Sequence, residues 1–137
     1  MDVVAYDIYH AEGIEEKLGM KYVELDELFA ASDFISLHTP AINGVKLIDE
    51  ANIAKMKDGV VFINTSRGNN VDEEALLEAL NANKIRAAGL DVFAEEPTNN
   101  LALAGHTYVS CTPHIGAATV DAQKRIGSEI VDIISQM

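Results

Sequence analysis

The sequence predicts an α/β protein built around a doubly wound parallel sheet. Short runs of apolar, largely β-branched residues alternate with segments of helical periodicity along the whole chain, an order that is typical of this class. The runs are apolar at consecutive positions, and this pattern suits strands buried on both faces of a parallel sheet. Polar side chains follow the runs, and open α/β sheets bind ligands at the carboxyl ends of their strands.

Five apolar runs are predicted to form strands, at residues 3–6, 34–37, 60–63, 85–90 and 108–111. Each run is followed by polar or charged residues. Because the carboxyl ends of parallel strands meet at one rim of a sheet, we expect these residues to form a site there. In chain order they are Asp7, His38-Thr39, Thr65-Ser66-Arg67, Asp91 and His114.

Four helices are predicted between and after these strands. Asp49, Asp72 and Thr119 are expected to be N-caps, because a short side-chain oxygen can accept hydrogen bonds from the amides of a first turn. Val71 is expected to pack on Leu76 as a hydrophobic staple. The apolar positions with helical spacing are Leu25, Leu28 and Phe29, then Ile53 and Met56, then Leu76, Leu77 and Leu80, and finally Ile126, Ile130, Ile133 and Ile134.

The overall composition argues against several classes of partner. Acidic residues outnumber basic ones 22 to 10, for a formal charge of −12. Since this charge repels phosphate backbones, we expect no nucleic-acid partner. No apolar stretch approaches the roughly 20 residues needed to cross a bilayer. Asp2 and Asp7 interrupt the first apolar run, so we expect neither a membrane partner nor a secretory leader.

The cysteine and the histidines bear on redox chemistry and metal binding. Cys111 is the single cysteine, which excludes an internal disulfide and favours a reducing cytoplasm as the location. Its apolar neighbours predict a buried small residue rather than a catalytic thiol. The four histidines show no paired ligand spacing, so no metal site is predicted. His38 is interpreted as a structural residue or as part of a cofactor wall.

Asp7 closes the first predicted strand. An acidic residue at this place binds the ribose hydroxyls in dinucleotide folds, whereas a carboxylate that starts a turn explains it equally well. The acidic balance of the chain does not exclude a dinucleotide. Backbone amides, helix N-termini and one placed arginine can bind its phosphates.

Three further residues have the chemistry of an organic-acid site. Arg67 precedes Gly68, and its planar guanidinium can clamp a carboxylate with two hydrogen bonds, although a surface arginine is an equal alternative. His114 suits proton exchange with a carbonyl or hydroxyl, although a lone histidine is more often structural. A carboxylate such as Glu96 can fix the tautomer of a histidine and stabilise its charged form. Together, the three residues suit a 2-hydroxy or 2-oxo acid.

Four motifs occur together along the chain. They are Ser36-Leu37-His38-Thr39-Pro40, Ile63-Asn64-Thr65-Ser66-Arg67-Gly68, Gly89-Leu90-Asp91-Val92-Phe93 with Glu96-Pro97, and Thr112-Pro113-His114-Ile115-Gly116-Ala117. On these motifs the chain resembles, over essentially its whole length, the D-isomer-specific 2-hydroxyacid dehydrogenases, and most closely the branch of phosphoglycerate dehydrogenase and hydroxypyruvate reductase. Asn69-Asn70 departs from the small or apolar residues usual after Arg-Gly in that family.

The resemblance implies an enzyme that transfers a hydride between NAD and C2 of a 2-hydroxy or 2-oxo acid. It implies that Arg67 binds the substrate carboxylate and that His114, supported by Glu96, exchanges the proton of the substrate oxygen. Alternatives are an NAD(H)-sensing transcriptional corepressor of the same fold and a non-catalytic truncated product. The cofactor contacts that the resemblance implies are Asp7, His38, Thr39, Pro40, Thr65, Ser66, Asp91, His114, Gly116 and Ala117.

The resemblance also implies a Rossmann-like fold that is truncated before its first strand. Residues 1–137 are expected to be a partial NAD-binding domain that lacks the first strand, the G-x-G-x-x-G phosphate loop and the substrate-binding domain. In a sheet of order 3-2-1-4-5-6 this loss leaves a central gap. We expect the gap to be closed by pairing of residues 3–6 with 34–37, by swapping between copies, or not at all. We further expect weak NAD binding by this chain and a homodimer for the full-length protein.

Overall fold

In the computed structural model, which describes residues 1–136, strands and helices alternate along the chain as predicted. The five predicted strands are confirmed to within one residue at each end. A further strand and two helices of four and five residues were not predicted, because such short elements show no clear periodicity. The elements are β1 (Val3–Ala5), α1 (Ile14–Leu18), β2 (Met20–Tyr22), α2 (Leu25–Ala31), β3 (Phe34–Leu37), α3 (Glu50–Lys55), β4 (Val60–Asn64), a 3-10 turn (Gly68–Asn70), α4 (Glu73–Asn81), β5 (Ile85–Leu90), α5 (Leu101–Ala104), β6 (Val109–Cys111) and α6 (Val120–Ser135).

The strands form two separate parallel sheets. One sheet pairs β1 with β2, with Val3 opposite Met20, and the other has the order β3-β4-β5-β6. In a sheet of order 3-2-1-4-5-6, strand 1 separates strand 2 from strand 4, and the two sheets of this chain likewise share no hydrogen-bonded pair of strands. The predicted α/β class with parallel strands is confirmed. Of the three expected alternatives, direct pairing of residues 3–6 with 34–37 is contradicted, because β3 pairs only with β4 among the described strands.

The four-stranded sheet contains the core. Its two central strands bury Phe62 and Ile85 completely, and Leu76 and Leu80 of α4 and Phe29 of α2 belong to the same cluster. At about 25 cal/mol per Å² of apolar surface, burial of such large side chains is the main stabilising term. The expectation that every strand is buried on both faces is wrong for β3. Phe34 remains 62% exposed there while Leu37 is buried, because one edge and one face of β3 lack a covering element.

Side-chain caps fix the starts of α3, α4 and α6, as predicted. Asp49 accepts a hydrogen bond from the amide of the third residue after it, and Asp72 accepts from the amides of Glu74 and Ala75. Thr119 accepts from Ala122 at the start of α6. These oxygens satisfy amides that have no partner inside a first helical turn.

The last helix is present where its periodicity predicts it, but its apolar face is not covered. Ile126, Ile130, Ile133 and Ile134 are between 43% and 64% exposed, and Ala122 is the buried residue of the helix. Because α6 does not cover the sheet, Cys111 at the end of β6 is also exposed. The prediction of a buried Cys111 is therefore wrong. Across residues 1–136, each helix is too short or too polar to span a bilayer.

Candidate active site

The turn after β4 is held by a buried asparagine. Asn64, the last residue of the strand, is 1% exposed, and its Oδ1 accepts hydrogen bonds from the Ser66 amide at 3.0 Å and the Ser66 hydroxyl at 2.9 Å. Its Nδ2 donates to the carbonyl of Arg67 at 3.1 Å. The backbone that carries Arg67 is thus fixed, while its exposed guanidinium donates to the Ser66 carbonyl at 2.7 Å.

A glycine brings this turn against the loop that follows β5. A Cβ added at Gly68 would lie 1.9 Å from the carbonyl carbon of Phe93 and 2.4 Å from the amide nitrogen of Ala94. Since no other residue fits so close to a backbone, Gly68 is required for this approach. Glu73 secures the same loop, because its Oε1 accepts from the Ala94 amide at 2.7 Å. The two strand-end loops therefore form one packed unit.

Asp91 joins the end of β5 to the segment after β6. Its carboxylate accepts hydrogen bonds from the Thr112 hydroxyl, from the Ile115 amide at 3.0 Å and from the Gly116 amide at 3.1 Å. Burial raises the pKa of Asp91, but these three hydrogen bonds outweigh it and hold the pKa below the ordinary value of the group. Asp91 is therefore ionised at neutral pH and orients the backbone on both sides of His114.

His114 and Glu96 form a direct pair. Nδ1 of His114 lies 2.7 Å from Oε2 of Glu96, and the other oxygen of Glu96 accepts from the Phe93 amide at 3.1 Å. The hydrogen bonds from His114 and from Phe93 lower the pKa of Glu96. An ionised carboxylate only accepts hydrogen bonds, so Nδ1 carries the hydrogen and Nε2 is left to exchange a proton with a ligand.

The backbone at His114 is in the left-handed region, with φ of 55°. Non-glycine residues adopt this conformation rarely, and such residues are concentrated at functional sites. The hydrogen bonds from the neighbouring backbone to Asp91 hold His114 in place on one side, and the bond to Glu96 holds its ring on the other. This conformation carries no signal in the sequence beyond the preceding Pro113.

Arg67, Glu96 and His114 meet at one open cavity of about 240 Å³. This volume suits a small organic acid better than a whole dinucleotide, for which pockets are commonly larger. A guanidinium, a carboxylate-supported imidazole and backbone groups on one wall can bind a carboxylate and move a proton at a neighbouring oxygen. The lining residues are Arg67, Gly68, Asn69, Val92, Phe93, Ala94, Glu96 and His114.

The remaining predicted site residues lie outside the lining of this cavity. Asp7 is exposed beyond β1, in the other sheet, and accepts a hydrogen bond from the Tyr9 amide. His38 and Pro40 are exposed and Thr39 is half-buried after β3, where His38 lies 2.8 Å from the hydroxyl of Ser36. The other predicted cofactor contacts, at the ends of β4 and after β6, are Thr65, Ser66, Gly116 and Ala117, of which Ser66 is half-buried and the rest are exposed.

Sequence reasoning missed several residues that build the site without entering it. Asn64 had a usable signal, because a polar residue at the end of an apolar run needs a hydrogen-bonding partner if it is buried. Glu73 lies in the first turn of α4, where an acidic residue is common, so its contact with the Ala94 amide has no distinct signal in the sequence. Asn70 is fully buried, and its signal was the unusual pair Asn69-Asn70.

Comparison with known proteins places the chain in a family. Residues 1–116 match the family model described as D-isomer specific 2-hydroxyacid dehydrogenase, NAD binding domain. The chain belongs to this family. It is 48% identical to a hydroxypyruvate reductase of Thermotoga maritima, over 98% of the chain and 44% of the relative. It is 44% identical to a D-3-phosphoglycerate dehydrogenase of Mycobacterium tuberculosis, over 96% of the chain and 25% of the relative.

Solved structures of the dehydrogenase family have the same fold. A D-lactate dehydrogenase of Aquifex aeolicus, in complex with NAD and lactic acid, superposes with a TM-score of 0.85 at 39% identity, over 98% of this chain and 45% of the other. A glyoxylate reductase of Paecilomyes thermophila gives a TM-score of 0.83 at 38% identity, over 93% of this chain and 39% of the other. The chain therefore spans less than half the length of these dehydrogenases. Its Rossmann-like fold is confirmed.

NAD is the cofactor of this dehydrogenase family, and the residues present fit part of it. The exposed carboxylate of Asp7 at a strand end suits a ribose hydroxyl pair. Three of the roughly four acceptor positions of the Asp91 carboxylate are used within the chain, so one remains for a ligand donor. The G-x-G-x-x-G spacing that supplies backbone amides to a pyrophosphate does not occur in the sequence.

Proposed function

We propose that the chain is the greater part of the NAD-binding domain of an enzyme that interconverts a D-2-hydroxy acid and its 2-oxo acid. The single observation that carries the proposal is the pairing of His114 with Glu96 at 2.7 Å, on the wall of a cavity that Arg67 also lines. A structural histidine would not need an ionised partner, a left-handed backbone and an exposed ring edge beside an arginine. These features suit an acid/base residue.

In the proposed reaction Arg67 binds the substrate carboxylate with two parallel hydrogen bonds, which orients C2 and its oxygen. NAD, when bound, accepts or supplies the hydride at C2. His114 takes the hydroxyl proton on Nε2 in the oxidation and returns it to the carbonyl oxygen in the reduction. Glu96 accepts from Nδ1 throughout, and its negative charge stabilises the ring when both nitrogens are protonated.

The proposed cofactor contacts lie at strand ends outside the cavity. Asp7 is assigned to the adenosine ribose, and Asp91 to the neighbourhood of the nicotinamide amide. The assignment is supported by the position of these residues at the carboxyl ends of parallel strands. The remaining contacts are assigned to His38, Thr39, Pro40, Thr65, Ser66, His114, Gly116 and Ala117. A cytoplasmic location is proposed from the single cysteine, and a homodimer for the whole protein is proposed from the family resemblance.

A chimera tests the catalytic roles. The segment of the Thermotoga maritima hydroxypyruvate reductase that matches this chain is replaced by it, and NADH oxidation is followed with hydroxypyruvate. We expect turnover, and we expect Arg67→Gln, Glu96→Gln and His114→Ala each to lower kcat/KM by about 100-fold or more. His106→Gln is the matched control, since His106 is a histidine outside the site. Undiminished turnover in His114→Ala would contradict the proposed mechanism.

The 137-residue chain by itself is expected to bind NADH weakly and to turn over little. The chain lacks the G-x-G-x-x-G spacing, and backbone amides of such a loop provide much of the affinity for a pyrophosphate. Titration calorimetry with NADH measures this directly. A dissociation constant in the micromolar range would contradict the expectation.

A further inference from the structure

Asn70 is a fully buried polar residue that links two strand-end loops. Its Oδ1 accepts a hydrogen bond from the Ile42 amide at 3.0 Å. Its Nδ2 donates to the Thr39 hydroxyl at 3.0 Å, to the Thr39 carbonyl at 3.3 Å and to the Pro40 carbonyl at 2.8 Å. One side chain thus satisfies four backbone or hydroxyl groups of the loop after β3.

The backbone of Asn70 holds the far end of the same loop. Its carbonyl accepts from the Ile48 amide at 2.9 Å, and its own amide donates to the Arg67 carbonyl at 3.4 Å. The loop of residues 39–48 is therefore tied to the 3-10 turn at both ends. The side chain of Asn70 ties the start of the loop, and its main chain ties the end.

These contacts also determine the hydrogen-bonding role of the Thr39 hydroxyl, which can act as a donor and as an acceptor. A threonine hydroxyl has one hydrogen to donate and two lone pairs to accept with. Because the Thr39 oxygen accepts from Asn70, the hydrogen of this hydroxyl is left to donate to a ligand. Nδ2 of Asn70 has two hydrogens shared among three oxygens, so the side chain has no donor to spare for a ligand of its own.

We propose that Asn70 is a positioning residue for the cofactor: it holds Thr39 and Pro40 at a fixed distance from the turn that carries Arg67. The proposal deepens the proposed function and rests on it, since Thr39 and Pro40 are assigned there to NAD. Asn70 itself touches neither cofactor nor substrate. It acts through Thr39, whose hydroxyl oxygen it engages as an acceptor, and through the fixed spacing between the two loops.

Hydrogen exchange on the 137-residue chain tests the link, with Asn70→Ala as the variant. The substitution removes the side-chain acceptor of the Ile42 amide but keeps the main-chain acceptor of the Ile48 amide. We expect exchange at Ile42 to rise about tenfold or more, the usual effect of losing a hydrogen bond, and exchange at Ile48 to stay within a factor of about two. An equal rise at both amides would indicate general destabilisation and overturn the proposal. Asn81→Ala is the matched control, since Asn81 is exposed at the end of α4 and outside the cavity.

NADH titration of the same chain, followed by the NMR shifts of the Thr39 and Gly116 amides, tests the role in binding. We expect Asn70→Ala to weaken NADH binding about tenfold and Asn81→Ala to leave it within about twofold. Asn70→Asp keeps the acceptor for Ile42 and removes the donor to Thr39, so it should weaken binding while Ile42 stays protected. A residue with a merely structural role would not weaken NADH binding while leaving the exchange of the Ile42 amide unchanged.

The outcomes separate this proposal from the proposed function. Unchanged NADH affinity in a folded Asn70→Ala chain would overturn the positioning role, whatever the chimera does. The same holds if NADH leaves the Thr39 amide of the native chain unshifted at millimolar concentration. Turnover by the chimera would still uphold the proposed function in either case. An inactive chimera would contradict the proposed function. The titration would still decide the role of Asn70 in binding the cofactor.

Discussion

Replacing Gly68 with alanine should separate the two loops that build the cavity. The added Cβ would lie 1.9 Å from the carbonyl carbon of Phe93, whereas ordinary contacts of a Cβ begin at 3.4 Å. The backbone of one loop must therefore move by about 1.5 Å, which is 3.4 Å less 1.9 Å. No side-chain rotation can relieve this contact, because the opposing atoms belong to the main chain.

The displacement has a cost in stability and a cost in activity. Overpacking of this kind destabilises a protein by about 1–3 kcal/mol, and contact with a backbone falls at the upper end. At this chain length about 3 kcal/mol corresponds to a fall in Tm of roughly 10 °C. Phe93 also donates its amide to Glu96. A misplacement of about 1 Å can lower turnover about 100-fold, so we expect a loss of this size in the chimera.

Thermal unfolding followed by circular dichroism measures the first effect, and NADH oxidation by the chimera measures the second. Gly127→Ala is the matched control, because a Cβ at Gly127 meets no atom within 4 Å and the residue lies inside α6. Alanine is the better helix former by about 1 kcal/mol, so the same substitution should stabilise α6. The reasoning would be refuted if the Gly68→Ala chain had the same Tm as the native chain and the NMR shifts of its amides at residues 92–96 were unchanged.

Two further substitutions and one hydrogen-exchange comparison have expected outcomes of definite sign. Asp72→Ala should lower the free energy of unfolding by about 1 kcal/mol in urea denaturation, because the cap of α4 is lost; an unchanged midpoint would rule out a stabilising cap. Hydrogen bonds hold the pKa of Asp91 below the ordinary carboxyl value of about 4 despite the opposing effect of burial, so its stabilisation is present above that value and is lost as the pH falls through its lower folded value. Asp91→Asn should therefore flatten the decline of Tm in acid, and a decline as steep as in the native chain would contradict this. The amides of β1 and β3 that donate to no strand of their own sheet should exchange faster than the amides of β4. Equal protection in a dilute monomer would mean that these strand edges are paired.

The fold was predictable where a pattern extends over enough residues to be unambiguous. The apolar run at the start of β4 and the cap at Asp72 each specify their element locally, and both are confirmed. The pairing of β1 was not predictable in the same way, because its partner β2 is a three-residue strand with one exposed lysine at its centre. Which strands become neighbours depends on the whole sheet, and a run of apolar residues only specifies a strand.

The exposed face of α6 illustrates the same limit. Helical spacing of Ile126, Ile130 and Ile133 correctly predicts a helix with an apolar face. The spacing does not specify what covers that face, and in this chain the three side chains are 43–57% exposed. Periodicity is a property of one element, whereas burial is a property of two.

The candidate site was predictable in its charged residues and not in its supports. Arg67, Glu96 and His114 were recognisable from their chemistry and their positions near strand ends, and the structure brings them to one cavity. Asn64 and Asn70 were signalled only weakly, because their importance comes from burial with full hydrogen bonding, and both properties depend on how the loops are assembled.

The two ends of the proposed site depend on different sheets. Arg67 and His114 follow β4 and β6, and the hydrogen bonds that connect their loops all lie within residues 64–116. Asp7 instead follows β1, whose pairing among the described strands is with β2 alone. The acid/base geometry can therefore form inside one sheet, whereas the distance from Asp7 to it requires the two sheets to be held together. Holding the two sheets together should accordingly raise the affinity for NADH far more than it alters the pair of His114 and Glu96.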